Sequence, residues 1–341
     1  MAKQFRLRGF DPVLFVFHLL FLLLSYSIWL APYIAPSTFP YFGLVPIFYP
    51  LILIANLFLL IVLFFRKKLI AIIFAVFSIG LLPPMLKSYQ FFGEKPTVEA
   101  DFKILTFNVH YLKNDGFADF FKNENADIVL LQEVYRKRDE FLELKKDAFS
   151  DYYYESNSFN QVFSKYPIIE FRPVFQGENG TAGFAAYADL DIGHDTIRVI
   201  NVYLEPMKVE KELIKEGLAD TDAAKKNSKV LGKKLSTGFL RHQKQIQQLM
   251  PFIQHSPHPV ILAGDLNAVP NSYEYRQLTY WLKDPYIVTG RAAGTSFHDF
   301  KFPLRIDYVL HSKEFQPVSY KVLNQVKLSD HYPVVAEFKL P

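Results

Sequence analysis

From Pro12 to Leu86 the chain carries charge only at Arg66, Lys67 and Lys68, which are adjacent. Around that cluster it reads PVLFVFHLLFLLLSYSIWLAPYIAP, then YFGLVPIFYPLILIANLFLLIVLFF, then LIAIIFAVFSIGLLPPML. A bilayer hydrocarbon core is about 30 Å thick and is crossed by roughly 20 apolar helical residues, so this stretch holds three transmembrane helices. A cleaved signal peptide is the alternative for the first of them, because Lys3, Arg6 and Arg8 precede it. Its length, the lack of a small-residue cleavage site and the two spans that follow favour a retained helix over either a signal or a buried hairpin of soluble helices.

Basic residues flanking the spans set the orientation. Lys3, Arg6 and Arg8 precede the first helix and Arg66, Lys67 and Lys68 separate the second from the third, whereas the connection around Pro36 to Pro40 is uncharged. The N-terminus and the second loop are therefore expected in the cytoplasm of a multi-pass plasma (inner) membrane protein, and everything after Lys87 outside it. A membrane domain over residues 1–87, a tether over 88–100 (SYQFFGEKPTVEA) and a domain over 101–341 are the expected divisions. The last is long enough for a substantial core. With no cysteine in the chain, disulfides, thiolate chemistry and cysteine-ligated zinc are excluded.

Beyond the tether, short strand-like runs alternate with helical material: FKILTFNV from Phe102, ADIVLLQEVY from Ala126, QVFSKYPII from Gln161, TAGFAAYADLDI from Thr181, DTIRVINVYLEP from Asp195, HPVILAGDLNAVP from His258, LRIDYVLHS from Leu304 and LSDHYPVVAEF from Leu328. The pattern predicts an α/β or α+β domain with two sheets packed together. Polar residues stand where the apolar runs stop or start: Asn108, Glu133, Asp265 and Asn267, Asp307, and Asp330 with His331. Any one of them alone reads as a strand-end cap. Together they suit another chemistry, because carboxylates such as Glu133 and Asp330 are hard ligands for Mg²⁺ or Mn²⁺. A further carboxylate can orient an attacking water, while amides and an imidazole neutralise charge on phosphorus. The combination describes metal-assisted phosphoester hydrolysis.

TFNV, LQEVY, FSKYPI, GDLNAVPNS, RIDYVL and SDHYPV, in that order between Thr106 and Val334, resemble the endonuclease/exonuclease/phosphatase superfamily, whose fold is the two-sheet α/β sandwich of deoxyribonuclease I. The resemblance covers the domain after the membrane segment. It implies Glu133 as principal metal ligand with Asn108 beside it on metal or phosphate, Asp330 as a further metal-site carboxylate, and Mg²⁺, or Mn²⁺, as the cofactor. It implies Asp265 as the carboxylate that orients or deprotonates the water, Asn267 as the amide on that water or the phosphate, and His331 as the imidazole on the phosphoryl oxygen, charged and oriented by Asp307. A histidine paired with a carboxylate has a raised pKa, so His331 is expected to stay cationic near neutral pH.

Tyr203, in VINVYLEP, departs from the histidine of the sphingomyelinase and deoxyribonuclease branches and matches the tyrosine of abasic-site endonucleases. It serves either as a hydrogen-bond donor to the phosphate or as a strand residue on the core; a phenol with a pKa near 10 is a poor proton donor to an alkoxide. His110 stays open between a catalytic, a solvated and a core role. Between Lys208 and Lys234 eight lysines face five acids, either a solvated helical insertion or an anion-attracting rim. Arg241 and Gln243 belong to the helix leading into VILAGDLN.

The resulting expectation is a membrane-anchored phosphoesterase acting on a phosphodiester at the lipid bilayer, a phospholipid or sphingolipid headgroup before others. A nuclease on extracytoplasmic DNA or RNA is the alternative. A non-catalytic receptor that kept the fold is disfavoured, since Glu133, Asp265, Asn267, Asp307 and His331 are all retained. Nothing in the sequence demands an obligate protein partner.

Overall fold

The computed structural model describes residues 11–93, 98–135, 139–177, 183–207, 221–299 and 304–340, with the side chains of 11 and 221–226 left aside. Lys3, Arg6 and Arg8, the tether residues 94–97 and residues 208–220, which hold three of the eight lysines between Lys208 and Lys234, lie outside the described residues.

Three helical segments, Pro12–Tyr33, Pro40–Arg66 and Lys68–Leu86, are long and apolar enough to cross a membrane. They contain α1 (Asp11–Tyr26), α2 (Leu44–Arg66), α3 (Lys68–Ser78) and α4 (Leu82–Leu86). Their sequence is apolar on every side, so no stripe selects a single buried face. Leu22, Leu63, Phe74 and Leu81 pack between the helices, and Leu20, Leu57, Phe58 and Val76 point outward. Polar groups stay inside as well: the His18 ring stacks on Phe74 at 4.4 Å, and Ser78 Oγ donates to Asn56 Oδ1 at 3.2 Å.

After the short strand β1 (Tyr89–Gln90) come β2 (Phe102–Asn108), α5 (Phe117–Glu124), β3 (Ile128–Gln132), α6 (Asp139–Ala148), β4 (Tyr153–Asn157), β5 (Asn160–Ser164), β6 (Ile168–Phe175), β7 (Phe184–Asp191) and β8 (Thr196–Tyr203). The long α7 (Thr221–Gln254) leads to β9 (Val260–Asp265), α8 (Tyr273–Trp281), α9 (Tyr286–Thr289), β10 (Ala292–Ala293), β11 (Asp307–His311), β12 (Gln316–Val322) and β13 (Val334–Lys339). One sheet has the order β12-β13-β2-β3-β5-β4 and the other β11-β9-β8-β7-β6. They stack face to face: Ile104, Ile128 and Leu130 of the first meet Val199, Ile261 and Val309 of the second in one apolar layer. Each outer face is covered by helices, α5 and α6 through Phe121, Phe141 and Leu144, and α7 and α8 through Ile246, Leu249 and Leu278. This is the expected two-sheet α/β sandwich.

The run QVFSKYPII divides into β5 and β6 at Tyr166 and Pro167, where proline interrupts the ladder. Strands β4 and β12 carry no long apolar run. Each is held at a sheet edge by one neighbour, β5 and β13 respectively.

The front of the expected tether is a correction to that reading. Tyr89 and Gln90 pair with Ala293 and Ala292, and the Tyr286 hydroxyl donates to the Ala292 carbonyl at 2.7 Å and lies 3.0 Å from that of Ser88. The segment is bound to the domain here because its backbone groups find strand partners. Further contacts hold the domain against one end of the helices. Asn271 Nδ2 donates to the Pro84 carbonyl, Gln243 bonds to both the backbone N–H and the hydroxyl of Ser37, and the Arg276 guanidinium lies 5.3 Å from the Tyr33 ring centroid. The loop around Pro36 and the domain therefore share one end of the three-helix unit, while the turn at Lys67 joins α2 and α3 at the other.

Candidate active site

Strand register assembles the site. Tyr203 of β8 stands opposite Asp265 of β9, which stands opposite Asp307 of β11, and cross-strand partners project to the same face. In the other sheet Asn108 of β2 is level with Gln132 of β3, and Glu133 is the next residue. The two rows meet across the mouth of the sandwich: Asn108 Nδ2 donates to Asp265 Oδ2 at 3.1 Å and to Glu133 Oε1 at 3.0 Å. His331 enters from the segment before β13 and places Nδ1 2.8 Å from Asp307 Oδ2 and Nε2 3.8 Å from Asp265 Oδ2.

Asn108, Asp265 and Asp307 are each only 1% exposed, so their charges and dipoles act on one another with little screening. Burial is the main force raising the Asp265 carboxyl, to about 7, with the charge of Asp307 adding to it; His331, the Asn267 N–H and the Asn108 amide pull the other way. Burial alone would lower the His331 imidazole, but the charges of Asp307 and Asp265 outweigh it and push the ring up to about 10. Asp307 Oδ1 is buried with no hydrogen-bond partner among the described residues. Its backbone N–H donates to Ser296 Oγ, fixing the start of β11.

A second group forms the wall opposite. Glu133 takes a left-handed conformation at φ 57°, as do His110, Tyr111 and Leu112, a region costly for residues with a side chain and persistent where packing enforces it. The turn sets His110 Nδ1 3.1 Å from Asp330 Oδ2 and 3.8 Å from Glu133 Oε2, so those carboxylates converge from two sides. Burial opposes ionisation of Asp330, yet the His110 hydrogen bond and the His331 charge hold its carboxyl down at about 2. Glu133 and Asp330, with the His110 ring between them, are hard oxygen donors of the kind taken by Mg²⁺ or Mn²⁺, which retain several waters. Among the described residues, Asp265, Asp307 and His331 also bring ligand atoms within 4.8 Å of one another. A cation there would compete with the proton shared by His331 and Asp307, so Glu133 and Asp330 are the better pair.

Each expected site residue lies in this cluster, though three are engaged differently from their expected contacts. The Tyr203 hydroxyl donates to Glu133 Oε1 at 2.8 Å and is buried, which pushes the phenol well above its usual range, with the Glu133 charge adding to the effect. The Asn108 amide bridges Glu133 and Asp265, and its carbonyl accepts the His110 N–H at 3.1 Å. Asn267, at φ 45°, donates its N–H to Asp265 Oδ1 at 2.8 Å and Nδ2 to the Leu204 carbonyl at 3.0 Å. His110, left open by the sequence, lines the site. Arg241 pairs with Glu205, apart from this cluster.

Sequence reading missed Ser329, whose hydroxyl donates to the Asn108 carbonyl at 2.7 Å and lies 3.0 Å from Asp330 Oδ1, tying the SDH turn to β2. Its place in SDH was the available signal. Ser296 and His298, whose N–H donates to the Asp330 carbonyl, sit in a loop without a distinguishing pattern.

The family model described as Endonuclease/Exonuclease/phosphatase matches residues 105–331, and one described as a domain of unknown function matches residues 11–89. No curated protein matches the chain. Among solved structures, an endonuclease/exonuclease/phosphatase from Bacteroides vulgatus is 18% identical with a TM-score of 0.54, the match covering 71% of this chain and 100% of that one. A family protein from Leptotrichia buccalis is 20% identical with a TM-score of 0.52, covering 70% and 100%. D. rerio TDP2 complexed with a single strand DNA product is 14% identical with a TM-score of 0.52, covering 70% and 98%. At these identities the likeness establishes a common fold.

Proposed function

The chain belongs to the endonuclease/exonuclease/phosphatase family, and we propose that it is a membrane-anchored, divalent-metal-dependent phosphoesterase that hydrolyses a phosphodiester at the bilayer surface. The observation that carries this reading is the buried Asp265 and His331–Asp307 set facing Glu133 and Asp330 across the mouth of the sandwich. Asp265 orients the attacking water and takes its proton, and its raised pKa suits a base near neutrality. His331, kept cationic by Asp307, donates from Nε2 to a phosphoryl oxygen as charge builds there. Asn108 and Asn267 hold Asp265 in place, and Tyr203 holds Glu133. Mg²⁺ or Mn²⁺ held by Glu133 and Asp330 would supply charge neutralisation at the phosphoryl group.

A phospholipid or sphingolipid headgroup is the favoured substrate. Support comes from the loop after β9, which carries Asn267 at the site and, four residues on, Asn271 bonded to Pro84 at the end of the third apolar helix. With the turn at Lys67 cytoplasmic, the catalytic domain faces the extracytoplasmic side of the inner membrane. The test is the full chain in lipid nanodiscs with Mg²⁺, offered sphingomyelin, phosphoinositides, single- and double-stranded DNA, RNA and bis-p-nitrophenyl phosphate. Headgroup release that vanishes in His331→Ala is the expected result. Cleavage confined to nucleic acid makes the protein a nuclease instead, and no hydrolysis of any substrate removes the enzymatic reading.

A further inference from the structure

Where the catalytic domain meets the helices, a cleft of about 340 Å³ opens between them, a volume within the usual range for small-molecule sites. Leu53 and Ile54 of α2 and Met85 of α4 form one wall, and Val269, Pro270 and Leu304 of the catalytic domain form the other. We propose that this cleft seats an acyl chain of the membrane lipid whose phosphodiester lies at the catalytic site. The inference rests on the lipid phosphoesterase reading and extends it by naming where the apolar part of the substrate goes.

Three observations favour an acyl chain. Ile54 both lines the cleft and is 65% exposed on the outer surface of the apolar helix, so the mouth opens on the face that a membrane-spanning α2 would turn to bilayer hydrocarbon, where acyl chains are the solvent. The lining on α2 runs from Pro46 to Ile54, about 12 Å at 1.5 Å per helical residue, an elongated shape along the span. The other wall adjoins the chemistry. Leu304 is three residues from Asp307 and Val269 four from Asp265, so fully extended chain would separate them by at most about 11 Å and 14 Å. Thr295, also in the lining, precedes the Ser296 that caps Asp307.

The cleft serves an energetic purpose. Raising a lipid phosphate from the bilayer to a protein site drags the first methylenes toward water, and each one exposed lowers occupancy roughly fourfold. An apolar cleft contiguous with the membrane keeps those methylenes covered while the headgroup is held by the site.

The experiment uses the full chain in nanodiscs containing a phospholipid with a photoreactive diazirine in its acyl chain. Cross-linked peptides are mapped, and hydrolysis of long-chain lipid and of bis-p-nitrophenyl phosphate is measured in parallel. Labelling of the segments holding Met85 and Val269 is expected. Leu53→Trp, and independently Met85→Trp, should abolish that labelling and lower long-chain hydrolysis roughly tenfold or more, the effect of exposing two or three methylenes, without changing hydrolysis of the soluble diester. Absence of cleft labelling in the native chain overturns the proposal, as does labelling and lipid hydrolysis untouched by both variants. Cleft labelling that both variants block in a chain that hydrolyses nothing retains the acyl seat and rejects the phosphoesterase reading.

Discussion

Along α2, Ile54, Leu57, Phe58 and Phe65 stand on the outer surface, whereas along β8 Ile197, Val199, Ile200 and Val202 are fully buried. Both segments are rich in aliphatic and aromatic residues, and the opposite placement follows from the surroundings each supplies for its backbone. A helix satisfies its own N–H and C=O groups and can show apolar side chains to lipid on all sides. A strand needs neighbours, so its apolar residues end up inside a sandwich. The helical region consequently gains little chemistry from its fold, while the sandwich brings distant strand ends together at one mouth.

The sharpest way to break that contrast is Asp265→Asn. It should lower hydrolysis roughly 10²- to 10⁴-fold while membrane integration, followed by carbonate extraction, stays native. Loss of integration would show that the two regions do not fold separately. Next comes Arg305→Ala, which breaks a buried pair with Asp284 at 2.7 Å. A cost of about 3–5 kcal/mol is expected, read as a lowered unfolding midpoint of the sandwich with the helices still inserted.

A smaller effect, but a more specific one, is expected from Asp307→Asn. The native pH–rate profile should rise as Asp265 ionises near 7 and fall as His331 loses its proton near 10. Without the Asp307 charge the His331 pKa drops, so the descending limb must move to lower pH; a limb that stays fixed assigns it to another group. The smallest effect belongs to the junction. Arg276→Ala removes a cation–π contact with Tyr33, worth about 0.5–1 kcal/mol. Hydrolysis of a bilayer substrate should fall a few-fold and that of a soluble diester not at all.

Much of the site was legible because each of its residues follows or precedes an apolar run, and a run's end is a local property of sequence. Glu133, Asp265, Asp307 and His331 were found that way. What each one touches was not local. Tyr203 stands open in the sequence between a phosphate donor and a core strand residue; only the opposing sheet shows Glu133 within 2.8 Å of its hydroxyl. His110 acquired its place only when Asp330, from the far end of the chain, came to rest beside it. Residues 88–93 read as a tether because nothing in them announces Ala292 and Ala293 as strand partners.

Sequence by itself determined the three apolar helices, the two-sheet domain and the residues at its strand ends, since hydrophobic period and run length act within a few neighbouring residues. Tertiary structure decided how Asn108 clamps two carboxylates, which face of the domain meets the apolar helices, and where an apolar cleft lies beside the catalytic mouth. Those depend on packing elements far apart in the chain, and no short stretch of sequence encodes the distance between them.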